Sequence, residues 1–173
     1  GLTVLICSFT HAAVDNLCMK LIERNINFLR IGRKESLNPN ILSYSIDSVI
    51  ESCENIEQMK LAVQGVNIFA STCYACNNPF IVSRQFDICV IDEASQISLP
   101  VVIGPLIRCK KYILVGDHYQ LPPITRSSSN MDLPVSLFRQ LCENHPHALI
   151  TLRTQYRMNH EIMKLCNEIV YLH

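Results

Sequence analysis

The chain has 173 residues, 49% of them apolar, which suits one domain of ordinary size with a sizeable core. Its 15 basic and 15 acidic side chains cancel, which excludes a global pull toward nucleic acid or anionic lipid, so any such contact has to be local. Apolar runs such as Tyr112 to Val115 are far too short to span a bilayer, and the opening "LTVLIC" reads as a strand rather than a leader peptide.

Taken in chain order, strand-like runs alternate with helical spacing. Leu2 to Cys7 reads as a buried strand. Val14, Leu17, Cys18, Leu21 and Ile22 come next at i, i+3, i+4, i+7 and i+8, the pattern of one helix face. Phe28 to Ile31 is a second short strand, closed by Gly32. Ile46, Val49, Ile50, Cys53 and Ile56 predict one face of a helix, with Asp47, Glu51, Glu54 and Glu57 on its solvated side. Val66 to Ala70, Ile88 to Ile91, Tyr112 to Val115 and Leu149 to Leu152 are four more strands. Val135 to Leu141 and Ile162 to Val170 are helices, and "NPN" at 38–40, "NNP" at 77–79 and "RSSSN" at 126–130 mark loops. The alternation predicts an α/β domain with a mostly parallel sheet, in which ligands bind at the carboxyl ends of the strands.

Nine cysteines are present, most of them inside apolar patterns. An odd count in a chain of this size favours a reduced, intracellular protein with buried thiols. "CYAC" (Cys73, Cys76) is the one C-x-x-C, and no second pair stands at zinc spacing.

Four stretches carry chemistry. In "FDICVIDEASQIS" an apolar strand ends in Asp92 and Glu93. One such carboxylate can hold magnesium by way of water while the other polarises an attacking water. On these two residues alone, a plain strand-end turn with solvated acids is the favoured reading, because acids are common at loop starts. "KYILVGDHYQLPP" ends a second strand in Gly116 and Asp117, with Gln120 an amide that can donate and accept at once, and Pro122 and Pro123 stiffening the chain beyond it. Two polar strand ends in one α/β chain point to a shared site. "LRTQYRMN" sets the aromatic face of Tyr156 beside the guanidinium fork of Arg157, suited to a base and a phosphate oxygen. In "SFTHAAVDN", Thr10 is placed to cap the next helix, beside His11 and Asn16, where an anion is favoured.

These four stretches, in this order, resemble motifs Ia, II, III and IV of the superfamily 1 helicases of the DEAA/DEAS-box group, which includes the nonsense-decay RNA helicases. "FLRIGR", "DICVIDEASQIS", "GPL" and "LRTQYRMNHEIMKL" are similar to the branch that joins helicase to nuclease and processes replication flaps and DNA ends. The resemblance covers nearly the whole chain and is weakest between about Lys34 and Val66. It implies part of a first RecA-like P-loop NTPase motor domain over residues 1–173, coupling ATP hydrolysis to 5′-to-3′ movement on single-stranded or flap DNA. By it, Asp92 sits on the magnesium of ATP, Glu93 handles the hydrolytic water, Gln120 senses the γ-phosphate, and Arg157 stabilises charge on that phosphate. Tyr156 stacks on adenine, and Asp117 completes the nucleotide-binding group. Thr10, His11, Asn16, Thr72 and Pro122 lie along the single strand. Cys76 departs from the small residue expected there. The resemblance further implies a nuclear and a mitochondrial location, a single-strand-binding protein as partner, and an iron–sulfur cluster outside this segment.

The phosphate loop G-x-x-x-x-G-K-S/T is absent: the five glycines stand at 1, 32, 65, 104 and 116, and no Gly-Lys pair exists. The expectation is a piece of a longer protein that, alone, hydrolyses no ATP. An RNA helicase of the nonsense-decay type is the nearest alternative. A non-catalytic nucleic-acid-binding module descended from a helicase is another, which the four intact site residues disfavour.

Overall fold

The computed structural model describes residues 1–124 and 136–171. Its centre is a parallel sheet of five strands in the order β2-β3-β1-β4-β5. The strands are β1 (Val4–Ser8), β2 (Leu29–Ile31), β3 (Ile68–Thr72), β4 (Phe86–Ile91) and β5 (Cys109–Leu114). In the inner strands both faces are covered, which is why they read as continuous apolar runs: Leu5, Cys7, Phe69, Cys89 and Ile91 are fully buried. Each large apolar side chain among them contributes roughly 1.5–3 kcal/mol by leaving water.

The first helix, α1 (His11–Glu23), starts as its sequence predicts, with the Thr10 hydroxyl accepting from the Ala13 amide at 3.2 Å. It ends in a Schellman turn: Asn25 adopts φ 54°, and the Asn25 and Ile26 amides donate to the Ile22 and Leu21 carbonyls. Val14 and Cys18, one turn apart, pack with Phe28, Ile41 and Ala70.

The helix expected over Ile46 to Ile56 is two helices, α2 (Ile46–Glu51) and α3 (Ile56–Gln64). The Asn55 side chain accepts from the Gln58 amide at 2.9 Å, so it starts a new helix in place of continuing the old one. Ile56 is accordingly 67% exposed and lies off the buried face. The expected loop at 38–40 enters a 3-10 helix over Pro39–Tyr44, and the one at 77–79 leads into a short helix, α4 (Pro79–Val82). Then come α5 (Leu99–Leu106), α6 (Leu137–Asn144) and α7 (His160–Cys166), the last continued by a π-turn over Asn167–Tyr171. "RSSSN" and Val135 lie outside the described residues.

Leu149 to Leu152 form no strand. The backbone at Leu149 is extended (φ −87°, ψ 130°), but Ile150 and Leu152 are 86% and 85% exposed. Extended apolar residues become a strand only beside a hydrogen-bonding neighbour, and none is present among the described residues. All nine cysteines are free. Cys73 and Cys76 are buried, with Cys76 Sγ 3.6 Å from Cys7 Sγ, and among the described residues no group of three or more His, Cys, Asp or Glu could hold a metal ion. Burial pushes the Cys7 thiol well above its ordinary pKa, as befits an inert core thiol.

Candidate active site

The sheet topology puts the two polar strand ends side by side. β4 and β5 are hydrogen-bonded neighbours, and their pairing runs past both strands: the Val115 amide donates to the Ile91 carbonyl, and the Ala94 amide to the Val115 carbonyl, each at 2.8 Å. The Asp92 amide donates to the Cys7 carbonyl at 2.9 Å, which ties the acid pair to β1 as well. Gly116 fits here because it has no side chain: a Cβ would lie 3.0 Å from the Ser95 amide nitrogen and 3.3 Å from that of Ala94.

Glu93 adopts the left-handed conformation, φ 54° and ψ 36°. For a non-glycine residue that costs about 1–2 kcal/mol. Such strain persists where the surrounding structure fixes it, and it is enriched at functional sites. The Glu93 carboxylate is exposed and accepts from Gln96 Nε2 at 3.1 Å, while Asp92 is half-buried beside it. In the next loop Asp117 gathers donors: the Tyr119 amide at 3.0 Å, Gln120 Nε2 at 2.8 Å, and the Tyr171 hydroxyl. Burial opposes the charged form of Asp117, but the bonds from Tyr171, Gln120 and Tyr119 outweigh it and hold the carboxyl below the usual range. The structure thus brings Asp92, Glu93, Asp117 and Gln120 to one edge of the sheet.

Tyr156 and Arg157 lie in a separate turn. It is organised by Gln155, whose Oε1 accepts from the amides of Arg157 (2.9 Å) and Met158 (2.7 Å). Tyr156 is 95% exposed, Arg157 is exposed, and neither side chain bonds to the acid group among the described residues.

The residues expected along a nucleic-acid strand occupy the same edge of the sheet. Thr10, His11 and Asn16 stand at the start of α1, and His11 and Asn16 line an open groove with Asp15, Glu35, Ser36 and Asn38. Pro122 is exposed and shares an apolar hollow with Phe9, Leu121 and Ile124. Thr72 is only 4% exposed, and its hydroxyl accepts from the Ala75 amide at 3.3 Å. Here it is buried and caps the 3-10 turn over Cys73–Asn77. At the end of β1, Ser8 Oγ is buried and the one such side-chain atom without a partner among the described residues.

A polar group beneath this face was not expected from the sequence. Arg30 of β2 is fully buried, with Nε donating to Asp15 Oδ1 at 2.8 Å and Nη1 to the Ile31 carbonyl at 2.6 Å. Asp15 Oδ2 accepts from the Asn38 amide at 2.8 Å. The available signal was a lone arginine inside the apolar run "FLRIG". Gln155, Ser95 and Tyr171 were likewise missed, because their roles are contacts between distant elements.

Known proteins match the chain over nearly its whole length. A family model described as "AAA domain" matches residues 1–61 and 51–128, and a second model of the same description matches residues 133–173. The DNA replication ATP-dependent helicase/nuclease JHS1 of Arabidopsis thaliana is 46% identical over 173 residues, covering 99% of this chain and 13% of that protein. The corresponding DNA2 proteins are 41% identical in Gallus gallus and 37% in Saccharomyces cerevisiae, again over 99% of this chain. This chain spans 18% of the former and 11% of the latter.

Proposed function

Because the chain belongs to the AAA domain family, we propose that the joined ends of β4 and β5 are the acid half of an ATP-hydrolysing site in a DNA replication helicase/nuclease. The observation that carries this reading is the β4–β5 junction itself. Its backbone bonds set the strand end that carries two carboxylates beside the one that carries an aspartate and an amide, with Glu93 fixed in a strained backbone.

Each group has a task its chemistry suits. Half-exposed carboxylate oxygens fit magnesium, which keeps several of its waters, so Asp92 would hold the ion through water. The ion, when bound, supplies positive charge on the phosphate oxygens. Glu93 orients or deprotonates the attacking water. Gln120 offers an amide to the γ-phosphate, and Asp117 sets its direction through the 2.8 Å bond from Gln120 Nε2. Arg157 and Tyr156, exposed in their own turn, contribute once that turn and the acid group meet on nucleotide. The phosphate cradle has no counterpart in this sequence, so ATP turnover requires residues beyond these 173.

The groove beside Thr10, His11 and Asn16 and the apolar hollow at Pro122 would track single-stranded or flap DNA, with 5′-to-3′ movement. A single-strand-binding protein is the natural partner, and the nucleus, with mitochondria, the site of action. The test uses the full-length protein. Glu93→Gln should leave ATP binding intact while turnover falls by orders of magnitude. Unchanged turnover would remove Glu93, and with it this reading of the junction.

A further inference from the structure

We propose that Arg30, though wholly buried, is a positioning residue for nucleic-acid contact and acts through His11. The inference rests on the reading that the start of α1 faces the strand. Arg30 Nη2 lies 3.2 Å from His11 Nδ1. A guanidinium has donors only, so His11 Nδ1 must accept. A neutral imidazole whose Nδ1 accepts carries its proton on Nε2. The arginine therefore fixes both the tautomer and the ring plane, and the one donor left to His11 is available to the groove that it lines with Asn16, Ser36 and Asn38.

The surroundings hold Arg30 in place for this. Its Nε is tied to Asp15 and its Nη1 to the Ile31 carbonyl, so Nη2 has little freedom. Gly32 leaves room for the pair: a Cβ there would lie 3.2 Å from Arg30 Nη1 and 3.5 Å from His11 Cε1. Burial and the Arg30 charge lower the His11 pKa, against a smaller opposing pull from Asp15. His11 thus stays neutral and binds a phosphate oxygen as a hydrogen-bond donor. A cation buried in a core would be needless for packing alone, since apolar residues of similar volume serve as well.

The test measures ATPase of the full-length protein against the concentration of an oligothymidylate, with direct binding of the same fluorescein-labelled probe. His11→Ala should raise the half-stimulating concentration about three- to tenfold, the worth of one hydrogen bond, with the saturated rate near wild type. Arg30→Lys should do the same, and the double variant should be no worse than either single. If Arg30→Lys does not fold, Gly32→Ala takes its place in the same cycle. Additive losses, or a drop confined to the saturated rate, would make Arg30 merely structural and overturn the proposal. An unchanged half-stimulating concentration in His11→Ala would instead sink the nucleic-acid reading of this face.

Discussion

Asp15→Ala is the sharpest test of how the core beneath the groove is held. Arg30 is fully buried and Asp15 is 5% exposed, with 2.8 Å between Arg30 Nε and Asp15 Oδ1. Removing the carboxylate leaves a guanidinium in the core without its counter-ion. Breaking a buried pair in this way costs about 3–5 kcal/mol, because the orphaned charge keeps its desolvation penalty. The Asn38 amide also loses its acceptor, but Asn38 is exposed and water replaces it. For a domain of this size each kcal/mol moves Tm by about 2–4 °C, so the expected fall is on the order of 6–20 °C. Replacing both partners, Asp15→Leu with Arg30→Met, should recover most of that loss, since no unpaired charge remains. Thermal unfolding, with amide exchange in β2 as the local readout, decides the matter. A single-variant cost under about 1 kcal/mol, or a double variant as unstable as the single, would refute the assignment of Arg30–Asp15 as a tightly coupled buried pair.

The geometry carries three further expected outcomes. Glu93→Gly should stabilise the fold by up to about 1 kcal/mol in urea unfolding, by relieving the left-handed strain, while abolishing ATP turnover in the full-length protein. Gly116→Ala should cost about 1–3 kcal/mol and lower turnover, because the new methyl group meets backbone nitrogen at Ser95 and Ala94, which cannot swing aside. Asp87 has its carboxyl held well below the usual range by Lys110 and by the Thr3 amide and hydroxyl. A folded pKa below the unfolded one means its contribution is full above about pH 4 and is lost as pH falls through the lower folded value. Asp87→Asn should therefore lower stability at neutral pH and flatten the acid limb of a stability-against-pH curve.

The inner strands were legible because burial on both faces writes itself as an unbroken apolar run. The same signal at Leu149 to Leu152 gave no strand, since composition reports a residue's fitness for a sheet and says nothing about whether a neighbour is there to bond it. The break at Asn55 was missed for a related reason: helical spacing continued across it, while a side chain competing for backbone donors decided the local outcome. For the site, residue types at Asp92, Glu93, Asp117 and Gln120 were readable, and their assembly came from β4 pairing with β5.

What no pattern announced was the conformation of Glu93 and the burial of Arg30. A glutamate has no preference for the left-handed region, so its presence there is imposed by the β4–β5 junction on either side. Arg30 finds Asp15 and His11 fifteen and nineteen residues earlier, on a helix that only the fold brings alongside β2. Both features cost free energy locally. Glu93 lies at the carboxyl edge of the sheet, where an α/β fold binds its ligands, and Arg30, in the middle of β2, reaches the start of α1 at that edge through His11. Elsewhere the large buried side chains are apolar, as at Phe69, Phe86 and Ile81, each fully buried. A fold indifferent to ligand would have no reason to hold strain at this edge and to aim a buried cation at it, and that contrast is the strongest physical argument that the edge is where the chain works.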